Sequence, residues 1–120
     1  VREREIIAKA HNLRESLNDP TAHAEIIAIR EAAEKLSSWR LIDCNLYVTI
    51  EPCPMCAGAI VQSRIKRLIY GAKDPKAGAV DSVMNIVDNP NLNHSVEVTS
   101  GILQYECSNI MKEYFRGKRK

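Results

Sequence analysis

The chain has 120 residues, of which 45% are apolar and 27% charged, with five glycines and five prolines. These values are typical of one globular domain and exclude collagenous, low-complexity and disordered chains. A formal net charge of +2 is too small to indicate a nucleic-acid partner from the total alone. The longest apolar stretch, residues 55–61, is far shorter than the ~20 residues that span a bilayer, so we expect no membrane segment.

Strands and helices are predicted to alternate along the chain. Residues 5–12 mix apolar and polar side chains as a strand does, and residues 22–36 repeat apolar side chains at helical spacing. Residues 45–51 have the β-branched and aromatic content of a buried strand, and Pro54 suits the first turn of a helix that runs to about residue 64. The remaining predicted elements are a strand at 65–71, a short helix near 80–86, an extended stretch at 95–99 and a closing helix at 103–116. This alternation favours an α/β fold, a three-layer α/β/α sandwich.

Two of the four cysteines form a C-x-x-C motif, Cys53 and Cys56. At the start of a helix these two side chains share one face, and the helix dipole favours their thiolates. The motif alone is compatible with a redox dithiol and with half of a zinc site. Cys44 and Cys107 are too dispersed to complete a four-cysteine knuckle, and we expect them to be buried free thiols.

A second motif, His23-Ala24-Glu25, decides between these interpretations. Alone it is weak, because a histidine at a helix start is more often a cap or a packed ring. Followed about thirty residues later by P-C-x-x-C, it is the sequence pattern of zinc-dependent nucleobase deaminases. We therefore predict that zinc is bound by His23, Cys53 and Cys56.

Three protein ligands leave one position of a tetrahedral zinc ion open, as a catalytic site requires. A water there is acidified towards neutrality and becomes a nucleophile. Glu25 is then predicted to carry protons from this water to the ring nitrogen and the leaving ammonia. On a regular helix its side chain points about 200° away from that of His23. Both must therefore project past the helix end, and we expect Asp19 or Thr21 to be the N-cap.

The sequence resembles the bacterial tRNA-specific adenosine deaminases, which belong to the cytidine deaminase superfamily. The stretches that carry the resemblance are AHN (10–12), DPTAHAE (19–25), LYVTIEPCPMCAGAI (46–60), GAKDPKAGAV (71–80), NH (93–94) and EYFRGKRK (113–120). The resemblance implies a sandwich with a central mixed sheet, in a cytoplasmic homodimer that binds one zinc ion per subunit. The implied reaction converts the wobble adenosine in a tRNA anticodon stem-loop, typically of an arginine tRNA, to inosine.

The resemblance also implies residues that bind the substrate. Asn12 would hydrogen-bond the flipped base, and Ala24 would line its pocket. The flanking anticodon nucleotides would meet Asp74, Lys76 and Asn93, and Phe115 would pack beside the bound loop. Each position also has a structural interpretation: Asn12 could end a strand, and Asp74 could open a turn. Asn93 could organise its loop, and Phe115 could belong to the core.

Both ends of the printed sequence bear on these expectations. Members of the family carry a helix and a strand before the point that matches Val1, so we expect residues 1–120 to be a single deaminase domain without those two elements. At the other end, residues 112–120 contain five basic side chains and two aromatic ones. They form either a solvated helix end whose cations complement the helix dipole or a tail that contacts phosphates.

Two other functions fit parts of the sequence. A deaminase of free nucleosides or bases, such as cytidine or guanine, would share the chemistry, but it would not need a basic aromatic tail. A noncatalytic, zinc-stabilised RNA-binding subunit would share the zinc ligands, but it would not need Glu25. The leading prediction is therefore the RNA-editing enzyme.

Overall fold

The computed structural model describes the backbone of residues 1–118 and the side chains of residues 1–113. Within that part of the chain the elements are α1 (Ala24–Leu36), β1 (Asn45–Ile50), α2 (Pro54–Gln62), β2 (Arg67–Ala72), β3 (Glu97–Thr99) and α3 (Gln104–Lys118). None of these helices is long and apolar enough to cross a bilayer.

The three strands form one sheet in the order β1-β2-β3, and both pairs of neighbours run parallel. Leu68 at the centre of β2 lies opposite Leu46 of β1 and Val98 of β3. Parallel neighbours need a crossover connection, and α2 is the crossover between β1 and β2. A mixed sheet also contains antiparallel pairs. In the described residues, antiparallel pairing is limited to isolated bridges that join Arg2 to Glu5 and to Cys44.

Helices cover both faces of β2. Leu68 and Tyr70 are fully buried in a core that includes Ala57 and Ile60 of α2. Gly71 is the next residue along, so it points to the opposite face. A Cβ atom added to Gly71 would lie 2.4 Å from the Sγ atom of Cys107, so α3 approaches β2 closely because this position has no side chain. The predicted three-layer α/β/α sandwich is confirmed.

The predicted first strand, residues 5–12, is wrong. Arg2 and Glu5 exchange backbone hydrogen bonds of 2.9 Å across a two-residue turn in which Glu3 and Arg4 have φ angles of 51° and 66°. A cavity of about 490 Å³ is lined by Ile6 and residues 8–10 together with residues of β1, and no ladder joins the two segments. Without a partner at ladder distance, an extended segment is not a strand.

The predicted short helix near residues 80–86 is also wrong, and the chain there forms turns. The N–H groups of Val80, Asp81 and Ser82 all donate to the carboxylate of Glu51. Further along, the N–H of Ile86 donates to Ala79, seven residues earlier, which is not a helical spacing. The backbone hydrogen bonds that hold this segment are therefore those of a loop wrapped around a buried side chain.

Candidate active site

His23 is the residue immediately before α1. Its φ and ψ angles of −72° and 152° are extended, so its side chain projects beyond the helix end as predicted. The predicted N-cap at Asp19 or Thr21 is wrong, because His23 itself is the N-cap residue, without a capping hydrogen bond from its side chain. Asp19 instead accepts hydrogen bonds from the backbone N–H and the hydroxyl of Thr21, at 2.8 and 2.7 Å. These bonds fix the turn that leads into His23.

Cys53 immediately precedes α2, as His23 precedes α1. It is the N-cap residue, with an extended φ of −74° and ψ of 173°, and Pro54 follows at the first helical position. The proline fixes the helix start without losing a hydrogen bond, because the first N–H groups of a helix have no partner within it. Cys56 follows one turn later and is fully buried.

The two helix starts bring three side chains together. The Nδ1 atom of His23 lies 3.6 Å from the Sγ atom of Cys53 and 3.5 Å from that of Cys56. All three atoms lie within 4.8 Å of one another, an arrangement that can hold a metal ion. With ordinary zinc–sulfur and zinc–nitrogen bond lengths, a tetrahedral zinc site has N···S separations of about 3.6 Å. The group therefore has the donor atoms of a zinc site, and its two N···S distances match those of a tetrahedral one.

Glu25 adds a carboxylate to this cluster. Burial raises the pKa of the Cys56 thiol, and charge repulsion from Glu25 and then Cys53 raises it further, as does hydrogen bonding with both. A divalent cation among these groups would reverse the effect, because it favours the deprotonated thiol.

A cavity lies beside this cluster. It is the space of about 490 Å³ between residues 6–10 and β1, and Ala24 and Glu25 both line it. Its volume is within the ~300–1,000 Å³ of sites that bind small ligands. Ala24 lines this cavity, whereas Asn12 is not among the residues that line it, and the contact of either residue with a base stays a prediction.

The other predicted substrate residues lie on loops outside the cavity. Asn12 is exposed, and its Oδ1 atom accepts a hydrogen bond from the N–H of Arg14. Asp74 is half-buried, and its Oδ1 atom accepts hydrogen bonds from the N–H groups of Lys76 and Ala77. Both side chains therefore organise turns. The side chains of Lys76 and Asn93 are exposed. The side chain of Phe115 lies outside the described residues. The arrangement of Asp74 fits its interpretation as a turn residue, whereas Asn12 ends no strand. The substrate contacts of both residues stay predictions.

Glu51 is a residue beside the site that the sequence motifs do not identify. Its side chain is only 3% exposed and accepts hydrogen bonds from four backbone N–H groups and one hydroxyl. Burial alone would raise the pKa of this carboxyl, but hydrogen bonds led by those from Ser82 and Asp81 lower it to about 2. The available signal was an acidic residue at the end of an apolar strand, directly before the P-C-x-x-C motif.

The predicted free thiols are confirmed. Cys44 and Cys107 are buried, form no disulfide and lie outside the His23, Cys53 and Cys56 group.

An α/β/α sandwich with a His-Cys-Cys group and a glutamate at two adjoining helix starts defines the class of nucleobase deaminases.

Comparisons with known proteins agree with this class. A profile of the MafB19-like deaminases matches residues 1–119. The tRNA-specific adenosine deaminase of Bacillus subtilis (strain 168) is 50% identical over 116 residues, which cover 97% of this chain and 72% of that relative. The chain therefore belongs to the MafB19-like deaminases and to the family of the tRNA-specific adenosine deaminases.

Two solved structures extend the comparison. One, from biochemical and structural studies of A-to-I editing by tRNA:A34 deaminases at the wobble position, matches with a TM-score of 0.88 and 48% identity, over 92% of this chain and 80% of its own. The other is a guanine deaminase from Bacillus subtilis, with a TM-score of 0.62 and 34% identity, over 95% of this chain and 75% of its own. The fold and the family predicted from the sequence are both confirmed.

Proposed function

We propose that the protein catalyses the zinc-dependent hydrolytic deamination of adenosine to inosine at the wobble position of a tRNA anticodon. The observation that carries this proposal is the triangle of His23, Cys53 and Cys56 beside Glu25 at two helix starts. The substrate follows from the relatives, one of which is named a tRNA-specific adenosine deaminase and another of which belongs to work on tRNA:A34 deaminases. An arginine tRNA is the substrate that we expect.

His23, Cys53 and Cys56 would hold the zinc ion, one per subunit. When bound, zinc lowers the pKa of a coordinated water so that the water can act as a nucleophile near neutral pH. Three protein ligands leave a position for that water, in contrast to the closed four-ligand set of a structural zinc site.

Glu25 is the proposed catalytic acid and base. Hydrolytic deamination adds water across the C6–N1 bond of the adenine ring and then expels the C6 amino group as ammonia. Glu25 would take a proton from the water, deliver one to N1 of the ring and assist protonation of the departing nitrogen. The carboxylate is suited to this work because it reaches the metal-ligand group and also lines the cavity beside it.

Residues around the site would hold the anticodon. We propose that Ala24 lines the pocket of the flipped base and that Asn12 hydrogen-bonds its edge. The neighbouring nucleotides would meet Asp74 and Lys76 on one loop and Asn93 on another. Phe115 would pack beside the bound loop, and the basic residues after it would contact phosphates.

The protein is further proposed to act as a single deaminase domain within a cytoplasmic homodimer. The match of residues 1–119 to one family profile supports the single domain. Exposed apolar side chains at Met55, Val83 and Met84 support a surface for a second subunit close to the start of α2. A tRNA substrate supports the cytoplasmic location.

The test offers the purified protein four substrates: an arginine anticodon stem-loop with adenosine at the wobble position, free adenosine, free cytidine and free guanine. Chromatography of the digested products measures inosine and the other deaminated bases. We expect deamination of the stem-loop alone. Turnover of guanine, the substrate class of the 34% identical relative, or of a free nucleoside without the stem-loop would refute the RNA substrate. Tight stem-loop binding without any deamination would identify a noncatalytic RNA-binding subunit.

A further inference from the structure

The carboxylate of Glu51 connects the helix that carries two of the proposed metal ligands to a loop that is proposed to meet the RNA. We call residues 73–82 the Glu51-bound loop. Glu51 directly precedes Pro52 and Cys53, and its own N–H donates to Ala72 at 2.9 Å. Its position is therefore fixed by the sheet on one side and by the start of α2 on the other.

The two carboxylate oxygens bind different parts of the loop. Oε2 accepts from the N–H groups of Val80, Asp81 and Ser82, at 3.0, 2.7 and 3.0 Å. Oε1 accepts from the N–H of Asp74 at 3.1 Å and from the hydroxyl of Ser82. Consecutive N–H groups that converge in this way form a nest for an anion, and here the anion is the protein's own side chain.

Gly78 lies so close to the Glu51 carboxylate that this position of the Glu51-bound loop has no room for a side chain. A Cβ atom added to Gly78 would lie 2.3 to 2.5 Å from the carboxyl atoms of Glu51. Two backbone bonds add to those of the carboxylate: the N–H of Gly78 donates to Asp74 within the loop, and that of Ala79 donates to Pro52 beside the helix start, each at 2.8 Å. The loop is therefore held beside the start of α2 by the Glu51 carboxylate and by the bond to Pro52.

We propose that Glu51 is a positioning residue for substrate binding, which holds Asp74 and Lys76 at a fixed distance from the metal-ligand helix. This inference rests on the proposed function, since it assigns those two residues to the RNA-binding surface. Glu51 touches neither substrate nor reacting atoms in this role. Its effect passes through the Asp74 N–H, which begins the turn whose next residues include Lys76.

Glu51→Gln is a selective test because a glutamine keeps the shape and changes one end of the carboxylate. Its carbonyl oxygen can replace Oε2 and keep three backbone donors, while its NH₂ group replaces Oε1. The hydroxyl of Ser82 can rotate to accept from this NH₂ group. The N–H of Asp74 then faces a donor, so the substitution releases the Asp74 end of the loop.

The matched control is Glu97→Gln, which removes the same charge from an exposed side chain that pairs with Arg67 at the sheet edge. Exposed pairs of this kind contribute little to stability. For both variants the assays are zinc content, stem-loop Kd by fluorescence anisotropy, and kcat and KM for deamination. Amide hydrogen exchange at Asp74 reports directly on the released bond.

We expect Glu51→Gln to retain one zinc ion per chain and to speed exchange at Asp74. Its stem-loop Kd and KM should rise at least about fivefold, the lower end of what an unsatisfied donor costs, with kcat within about twofold. Glu97→Gln should behave as the wild type. Unchanged Kd and KM in Glu51→Gln, or a fall in kcat alone, would overturn the inference. So would loss of zinc.

Gly78→Ala is the second variant, because its methyl group pushes the loop off the carboxylate without changing Glu51. It should raise KM in the same way. If neither variant folds with zinc bound, Glu51 is a folding residue and the inference is wrong. A wild-type protein that fails to deaminate the stem-loop would refute the proposed function itself. An active wild type with normal Glu51→Gln binding would refute this inference alone.

Discussion

Replacing Cys56, a proposed zinc ligand, should remove the metal and lower the Tm by an amount that can be calculated. Its Sγ atom lies 3.5 Å from the Nδ1 atom of His23, close to the N···S separation of about 3.6 Å in a tetrahedral zinc site. Cys56→Ser replaces the thiol by a hydroxyl that does not ionise near neutral pH, and zinc ligands must be deprotonated. We expect this variant to lose zinc and all measurable activity.

The loss of zinc should also lower the thermal stability. A ligand that binds only the folded state, at free concentrations of about 100 to 1,000 times its Kd, stabilises it by about 2.7 to 4.1 kcal/mol. Given the usual unfolding entropy per residue, a 120-residue domain then loses about 10 to 16 °C in Tm when the ligand is removed. Excess chelator should produce this shift in the wild type, whereas Cys56→Ser should show the low Tm with or without chelator.

Cys44→Ser is the matched control, because Cys44 is also a buried free thiol but lies outside the metal-ligand group. Burying its hydroxyl should lower the Tm, since a poorly bonded polar group costs about 1–3 kcal/mol, but the zinc content and the chelator shift should remain. The assays are elemental analysis and calorimetry with and without chelator. A Cys56→Ser protein that keeps one zinc ion and the full chelator shift would refute the ligand assignment.

Three further outcomes are expected. Glu25→Gln should keep zinc and RNA binding but lose at least the ~10²–10⁴-fold contributed by a general acid and base, and near-normal single-turnover rates would contradict its role. Gly71→Ala should cost about 1–3 kcal/mol of unfolding free energy in denaturant titration, because its methyl overlaps Cys107, and Cys107→Ala should recover part of this loss. Deleting residues 116–120 should flatten the dependence of log K on log salt by up to about 3, and an unchanged slope would mean a solvated helix end.

Most of the site could be predicted because its signals are local. The helical spacing of apolar residues predicts α1, and Pro54 marks the first position of α2. Each metal-ligand motif also opens a helix, where an extended N-cap residue directs its side chain past the helix end. These features depend on a few neighbouring residues, so the sequence contains what is needed to predict them.

The two predictions that were wrong concern segments whose structure depends on distant partners. Residues 5–12 have the composition of a strand, but a strand exists only where another strand pairs with it, and the described residues pair there only through isolated bridges of Arg2 with Glu5 and Cys44. Residues 80–86 do not form the predicted helix, because three of their N–H groups donate to a carboxylate 29 to 31 residues earlier in the chain. Hydrophobic periodicity contains no information about either partner.

Glu51 is a local sequence signal that implies distant partners. A buried ionised carboxylate is costly unless hydrogen bonds replace its lost water, so a glutamate at the end of an apolar strand requires donors from elsewhere. The Glu51-bound loop supplies five donors, which join it to the residue two positions before Cys53. The need to satisfy one buried charge therefore links the start of the proposed metal-ligand helix to the loop that we propose meets the RNA.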